Sequence, residues 1–475
     1  MQNLNGFDMH PEEFRAFAHH VVDWMADYLR DTRHYPVVSR IEPGGLIEVL
    51  PKLAPETPEP MTTILADFER QIMPAITHWN HPRFHAYFSV SASGPGILAE
   101  MLTAALNVNG MLWKSCPAAT ELEQVTLDWL RQWIGLAEED HWFGIIYDTA
   151  SISTMHAIAA AREQADPATR LEGGSKNLTL YFSEQAHSSV EKSAISIGIG
   201  QHNTRKIGLD AQFRMRPDLL ENAIAKDLAS GKTPFCIVAA IGTTATTSVD
   251  PVNAIADIAR HHHAWLHVDA AYAGPAAIVP ELKHHFDGWE RADSIVLNPH
   301  KWLATPIDCS VFYTRKPEVL KRAFSLIPDY LKTQEDSKVV NYMDYGVQLG
   351  RRFRALKLWF VMRAFGREKL AAMIREHVRL AQLFAAWVEG DSRFEVASPV
   401  PFSLVNFRLR STDAANVELM NCVNGSGVAF LSPVVLLGKT CLRVAIGDIK
   451  TTEADLQATW AAIQAAIARV DQGVS

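Results

Sequence analysis

The chain has 475 residues, 48% of them hydrophobic and 21% charged, the balance of an ordinary soluble globular protein with room for more than one domain. A net charge of −8 gives no general pull toward nucleic acid or anionic membrane, and no apolar run reaches the ~18 residues that a membrane span needs. The five cysteines (Cys116, Cys236, Cys309, Cys422 and Cys441) are scattered, odd in number and without a CxxC pair, which fits a reduced, cytoplasmic setting better than a disulfide framework.

The N-terminal stretch carries Asp8, Glu12 and Glu13 and lacks a basic region before an apolar core, so no signal peptide is expected. From Pro11 to Leu29, helical spacing puts Phe14, Phe17, Val21, Met25, Tyr28 and Leu29 on one face. So aromatic a face must be covered, by its own large domain or by a partner subunit. Pro51, Pro55, Pro58 and Pro60 mark an extended linker, and a short helix is expected from Thr62 to Met73, stopped by Pro74. Thr120 with Glu123 reads as a capping box for the helix carrying Leu122, Val125, Trp129 and Trp133.

Between His81 and Phe365 the pattern alternates. Phe143–Tyr147, Leu178–Phe182, Phe235–Ile241, Trp265–Val268 and Ser294–Leu297 read as buried strands, and Ile152–Arg162, Pro217–Leu228 and Val252–His261 as helices. Such alternation argues an α/β domain around a mostly parallel sheet. The polar, aperiodic stretch from Pro328 to Lys338 is expected to be a mobile loop of the kind that closes over active sites. From Gly366 a smaller α/β unit follows: a long helix, strands near Leu404–Leu409 and Cys441–Ile446, and a last helix from Thr452.

Two motifs carry chemistry. Asp269 closes the apolar run Trp265-Leu266-His267-Val268, and Lys301 follows the strand Ser294–Leu297 within Asn298-Pro299-His300-Lys301-Trp302. Both sit at strand C-termini, where open α/β sheets collect ligands. Alone, the acid would be a turn cap and the lysine a surface residue. Together they match what pyridoxal phosphate (PLP) requires: an amine to hold its aldehyde and a carboxylate to keep its ring nitrogen protonated. Thr149-Ala150-Ser151, between a strand and a helix, offers backbone N–H groups and hydroxyls to a phosphate. Gly242-Thr243-Thr244 is a second hydroxyl-rich turn, and His187 follows the strand ending near Phe182, placed to stack on a cofactor ring or act as acid or base. The runs His261-His262-His263, His19-His20 and His284-His285 are consecutive and cannot share a helical face, so no metal site is expected.

With these residues in place, the chain closely resembles the PLP-dependent aromatic-L-amino-acid decarboxylases, within the group II amino acid decarboxylases. The matching stretches include His78-Trp79, His81-Pro82, Ala86-Tyr87-Phe88, Pro117 to Glu123, Thr149-Ala150-Ser151 and Gln185 to Glu191. They continue through Gly242-Thr243-Thr244, His267 to Gly274, Asn298 to Trp302, Asp329 to Lys332 and Gly350 to Arg354. The resemblance spans nearly the whole chain.

It implies PLP-dependent transferase fold type I: an N-terminal helical segment over residues 1–85 that packs in a dimer, a large mostly parallel-sheet PLP domain over 86–365, and a small C-terminal α/β domain over 366–475. It also implies a homodimer with shared active sites, acting on a small aromatic amino acid. Carried over position by position, Lys301 resembles the Schiff-base lysine, Asp269 the partner of the pyridine nitrogen, and His187 the residue stacked on the ring. Ala150, Ser151 and Asn298 resemble phosphate ligands, while Thr244, Ala271 and His300 resemble further cofactor contacts. Tyr330 corresponds to the loop tyrosine that returns a proton to the substrate carbon after CO2 leaves. Trp79, Tyr87, Phe88, Asn109, Met111 and Gly350 resemble substrate-pocket positions, Gly350 matching a discriminator where Gly goes with indolic and Ser with phenolic substrates.

The implied reaction converts tryptophan, phenylalanine, tyrosine or DOPA to the arylalkylamine and CO2. The alternatives are decarboxylation coupled to oxidative deamination, which yields an arylacetaldehyde, and decarboxylation of a non-aromatic amino acid. Aldehyde-forming relatives often replace the loop tyrosine by Phe or the stacking His by Asn; Tyr330 and His187 are both present here. The chain departs from the family pattern at Ser89-Val90, where Pro-Thr is common, and at Ile152, where Glu commonly follows Ala-Ser. Asn109 and Met111 stand where an aliphatic residue and Phe are frequent. These departures bear on substrate choice and leave the cofactor residues intact.

Overall fold

The computed structural model describes residues 8–174, 177–326, 335 and 338–473. A seven-stranded sheet is built from β1 (Phe143–Tyr147), β2 (Leu178–Ser183), β3 (Thr204–Ile207), β4 (Thr233–Ala240), β5 (Trp265–Asp269), β6 (Ser294–Leu297) and β7 (Ser310–Thr314). Its order is β1-β7-β6-β5-β4-β2-β3, and among them β7 alone runs opposite to the rest. The expected strands fall in place because both faces of this sheet are covered, so its central strands are continuous apolar runs. β3 reads Thr-Arg-Lys-Ile at the sheet edge, half-exposed and polar, and carries no such signal. β7 is fully buried and was not singled out either.

The helix expected from Ile152 begins at Ala150, with Thr149 extended (φ −129°, ψ 159°) as its N-cap and Ala165 as its last residue. Val252–His261 forms as expected, and Pro217 leads a helix to Ala229. The capping box does not form. Pro117 occupies the first turn, so the helix Pro117–Ile134 starts earlier, at Cys116, and Thr120 and Glu123 lie inside it. Glu123 instead accepts from the Ile146 N–H of β1 at 2.8 Å and pairs with Arg351 at 2.7 Å. The helix expected from Thr62 covers Met61–Asp67 and then widens into a π turn over Phe68–Ile72.

A second sheet, in the order β10-β11-β9-β8, is antiparallel: β8 (Phe394–Val396), β9 (Leu404–Leu409), β10 (Ser432–Leu436) and β11 (Lys439–Ala445). The helix Arg354–Gly390 joins the two sheets and is broken at Gly366, whose φ of +65° only glycine adopts without cost. Leu370 and Ile374 belong to the core under the large sheet, whereas Leu380 and Phe384 belong to the core under the small one. The helix Pro11–Asp31 has no buried residue in the single chain, and Phe14 is 62% exposed. Among the described residues no helix is long and apolar enough to cross a membrane.

Candidate active site

The C-terminal ends of β1, β2, β4, β5 and β6 open on one cavity of about 340 Å³. Trp79, Tyr87, Phe88, Ala150, Ser151, His187, Thr244, Asp269, Ala271, Asn298, His300 and Lys301 all line it, although the chain separates the first from the last by most of the large sheet. Parallel strands bring their loops to one edge, which is why residues distant in sequence converge here.

Asp269 ends β5, where its backbone pairs with β4 and β6 and its Oδ1 accepts from the Ala271 N–H at 3.0 Å. Lys301 follows β6 on the one-turn helix Pro299–Trp302. Burial lowers the pKa of the Lys301 ammonium, the Asp269 charge works against that shift, and Arg443 adds to it. A depressed ammonium is a readier nucleophile near neutral pH. Burial also keeps His187 below the usual imidazole range, opposed by Asp269. The Ser189 N–H reaches His187 Nδ1 at 3.2 Å, and the Ser189 hydroxyl lies 2.8 Å from the same nitrogen. These contacts assign Nδ1 as the acceptor and leave the proton on Nε2. His300 is pushed down to about 4, chiefly by burial and then by Lys301, and its Nδ1 accepts from the Cys309 N–H at 2.9 Å.

One wall is aromatic. Phe88 stacks on Tyr272 at 3.9 Å between centroids and Tyr272 on Trp302 at 4.8 Å, while Trp79 lies over Tyr87 at 5.7 Å. Trp79 and Tyr87 are 39% and 51% exposed, which puts them at the mouth rather than the floor.

The residues fit the cofactor that the resemblance implies. Thr149 caps a sixteen-residue helix, and the N–H groups of Ala150 and Ser151 have no acceptor among the described residues, an arrangement suited to a phosphate. Asn298 lines the same cavity, where its side-chain Nδ2 is the group able to donate to a phosphate oxygen. Gly242 (φ +83°) admits close approach of the β4 and β5 turns, since a Cβ would lie 2.6 Å from Ala273 Cβ.

Asn109, Met111 and Gly350 do not line this cavity. They sit together elsewhere, with Asn109 Nδ2 3.6 Å from Met111 Sδ and Asn109 Oδ1 accepting from the Arg351 N–H at 2.9 Å. Tyr330 lies outside the described residues, as does most of the expected loop. Arg443 on β11 is the main cavity residue that sequence reasoning missed. It is nine-tenths buried, burial lowers its pKa to about 10, its Nη2 donates to the Thr244 carbonyl at 2.8 Å, and its Nε has no partner among the described residues. The available signal was a cation inside the otherwise apolar run Cys441–Ile446. Tyr272 and Ile307 were also missed, being indistinguishable in sequence from core residues. Away from the cavity, Glu221, His261 and His262 gather their donor atoms within 4.8 Å of one another. The acid comes from a neighbouring helix, which no spacing within the histidine run reveals.

Comparison with known proteins gives a consistent result. The profile described as the pyridoxal-dependent decarboxylase conserved domain matches residues 43–410. A phenylacetaldehyde synthase of a Rosa hybrid cultivar is 40% identical, over 96% of this chain and 94% of its own. A tryptophan decarboxylase of Camptotheca acuminata is also 40% identical, over 96% of this chain and 95% of its own. The crystal structure of Catharanthus roseus tryptophan decarboxylase in complex with L-tryptophan superposes with a TM-score of 0.92 at 38% identity, covering 97% of this chain and 99% of that one.

Proposed function

Because the chain belongs to the pyridoxal-dependent decarboxylase family, we propose that it removes CO2 from an aromatic L-amino acid and releases the arylalkylamine. The observation that carries this reading is the convergence of Lys301, Asp269 and His187 in a cavity walled by Phe88, Tyr272, Trp79 and Tyr87. Pyridoxal phosphate, when bound, accepts the electron pair that CO2 leaves behind. Ala150, Ser151 and Asn298 would hold its phosphate, and the Asp269 carboxylate would keep its ring nitrogen protonated. Lys301 Nζ, kept in a buried and weakly basic state, takes up and gives back the proton exchanged with the incoming amine. Arg443 presents a buried cation that attracts the substrate carboxylate, and the Phe88–Tyr272–Trp302 stack keeps water from Lys301. Tyr330 returns a proton to Cα.

We further propose a homodimer, in which Asn109, Met111 and Gly350 of one subunit complete the partner's site. Support comes from the Pro11–Asp31 helix, which has no buried residue and leaves Phe14 62% exposed, and from the exposed Ile47, Val49 and Leu53 that follow it. A cytoplasmic location accords with five free cysteines.

A second reading, formation of an arylacetaldehyde, has support from the rose relative, which is as similar as the tryptophan decarboxylase. Retention of His187 and Tyr330 favours the amine. The test is a panel of aromatic amino acids assayed for CO2, with products identified by mass and peroxide measured alongside. Amine with stoichiometric CO2 and no peroxide is expected; aldehyde with peroxide favours the second reading, and no CO2 from any member removes both.

A further inference from the structure

Gly350 lies at the end of a strap, residues 345–351, that is stitched to the anion-binding end of β1 and the helix behind it. The Tyr147 hydroxyl donates to the Tyr345 carbonyl. Gln348 Nε2 donates to Asp148 Oδ2 at 3.1 Å, and the Val347 N–H donates to His156 Nε2 at 3.0 Å. Further along, the Arg351 N–H meets Asn109 Oδ1 at 2.9 Å, while its guanidinium reaches Glu123 and the Ile146 carbonyl. Between these anchors Val347 and Leu349 face outward, 63% and 47% exposed.

His156 is the centre of the stitching. It is fully buried on the helix Ala150–Ala165, stacked on Tyr147 at 4.2 Å with 15° between planes. Its Nδ1 donates to the Ile152 carbonyl at 2.7 Å, which leaves Nε2 free to accept from Val347 and determines the neutral tautomer. Burial pushes its pKa down to about 4, so the acceptor persists at neutral pH. Gly346 complements it, since a Cβ there would lie 2.8 Å from His156 Nε2 and 3.1 Å from Tyr147 Cε1. The strap therefore approaches the imidazole more closely than any side chain at residue 346 would allow. With both ring nitrogens engaged, His156 is neither a base nor a metal ligand.

We propose that His156 is a positioning residue that holds the register of Val347–Gly350, and thereby sets substrate side-chain selection without touching substrate or cofactor. This rests on the proposed function for its substrate class and on the role assigned there to Gly350. Two substitutions separate the contacts. His156→Asn retains a donor near Ile152 but falls short of Val347, whereas the longer amide of His156→Gln reaches it.

The experiment compares the full-length holoenzymes by amide hydrogen exchange over residues 345–351 and by the ratio of kcat/KM for tryptophan to that for tyrosine. In His156→Asn, exchange at Val347 should quicken about tenfold or more, and the substrate ratio should move about threefold or more. His156→Gln should restore both. Gly346→Ala, which displaces the strap while keeping the imidazole, should shift the ratio as well. Unchanged exchange at Val347 in His156→Asn overturns the positioning role, and faster exchange with an unchanged ratio overturns the link to selectivity. If wild-type protein releases no CO2 from either amino acid, the proposed function fails, and with it the link to selectivity. The exchange arm then still decides the positioning role. Should His156→Asn fail to fold, the ratio measured on Gly346→Ala and His156→Gln decides in its place.

Discussion

The amine nitrogen of Lys301 lies 5.5 Å from the centroid of the Phe88 ring, and the Arg443 guanidinium lies 5.2 Å from the same ring. Two basic groups approach one aromatic ring inside a cavity that also holds Asp269. An ammonium so placed is easier to deprotonate than one in water, because burial and a like charge both oppose it. Lys301 is therefore the amine expected to capture an aldehyde. Borohydride reduction of the PLP-loaded protein followed by peptide mapping should place the pyridoxyl group on Lys301. A label on another lysine would sink the assignment.

The product should depend on Tyr330. Tyr330→Phe removes the hydroxyl proposed to return a proton to Cα, so product should move from amine toward aldehyde with little change in PLP content. The check is product mass and peroxide on the variant. An unaltered amine yield without peroxide removes Tyr330 from that role.

Gly350→Ser should lower kcat/KM for tryptophan more than for tyrosine. Among the described residues a Cβ at residue 350 meets only Asn109 Nδ2, at an ordinary 3.6 Å, so a serine Cβ fits there without a clash. One such contact changes discrimination by about 1–3 kcal/mol, a preference rather than an exclusion. Equal effects on both substrates would discount Gly350.

Stability should carry the signature of Asp448. Burial raises its carboxyl to about 6, although the Lys450 N–H and the Ser91 hydroxyl donate to it. The folded state thus holds a proton that the unfolded chain releases near pH 4. That contribution is full below the unfolded pKa and is lost as pH rises through 6. Between pH 5 and pH 7 wild type should lose about 1 kcal/mol relative to Asp448→Asn, read from denaturant midpoints at the two pH values. A difference that stays flat over this range contradicts a raised carboxyl.

The buried pair Glu123–Arg351 should be costly to break and cheap to replace. Arg351→Met alone leaves an uncompensated carboxylate and should destabilise by about 3–5 kcal/mol, whereas adding Glu123→Gln should recover part of that loss. Matching losses in the single and double variants, measured by urea unfolding, would show that the charge is not the cause.

What the sequence determined by itself is the chemistry and the strands that bear it. Asp269 and Lys301 are legible because each follows an apolar run long enough to be a buried strand, and strand ends in a parallel sheet share one edge. Thr149-Ala150-Ser151 is legible because a strand-to-helix junction is short and local. Only the tertiary structure decided the rest. Arg443 reaches the cavity from the second sheet, a contact no local pattern encodes. Glu123 is a capping residue by spacing and an ion-pair partner in space, because Pro117 starts the helix early and Arg351 arrives from across the chain. Asn109, Met111 and Gly350 cluster away from the cavity, because a family match in sequence does not say where the fold places its residues. His156 reads as one more histidine in an alanine-rich helix. Its partner Val347 is remote in sequence, and long-range hydrogen bonds of this kind leave no periodic trace.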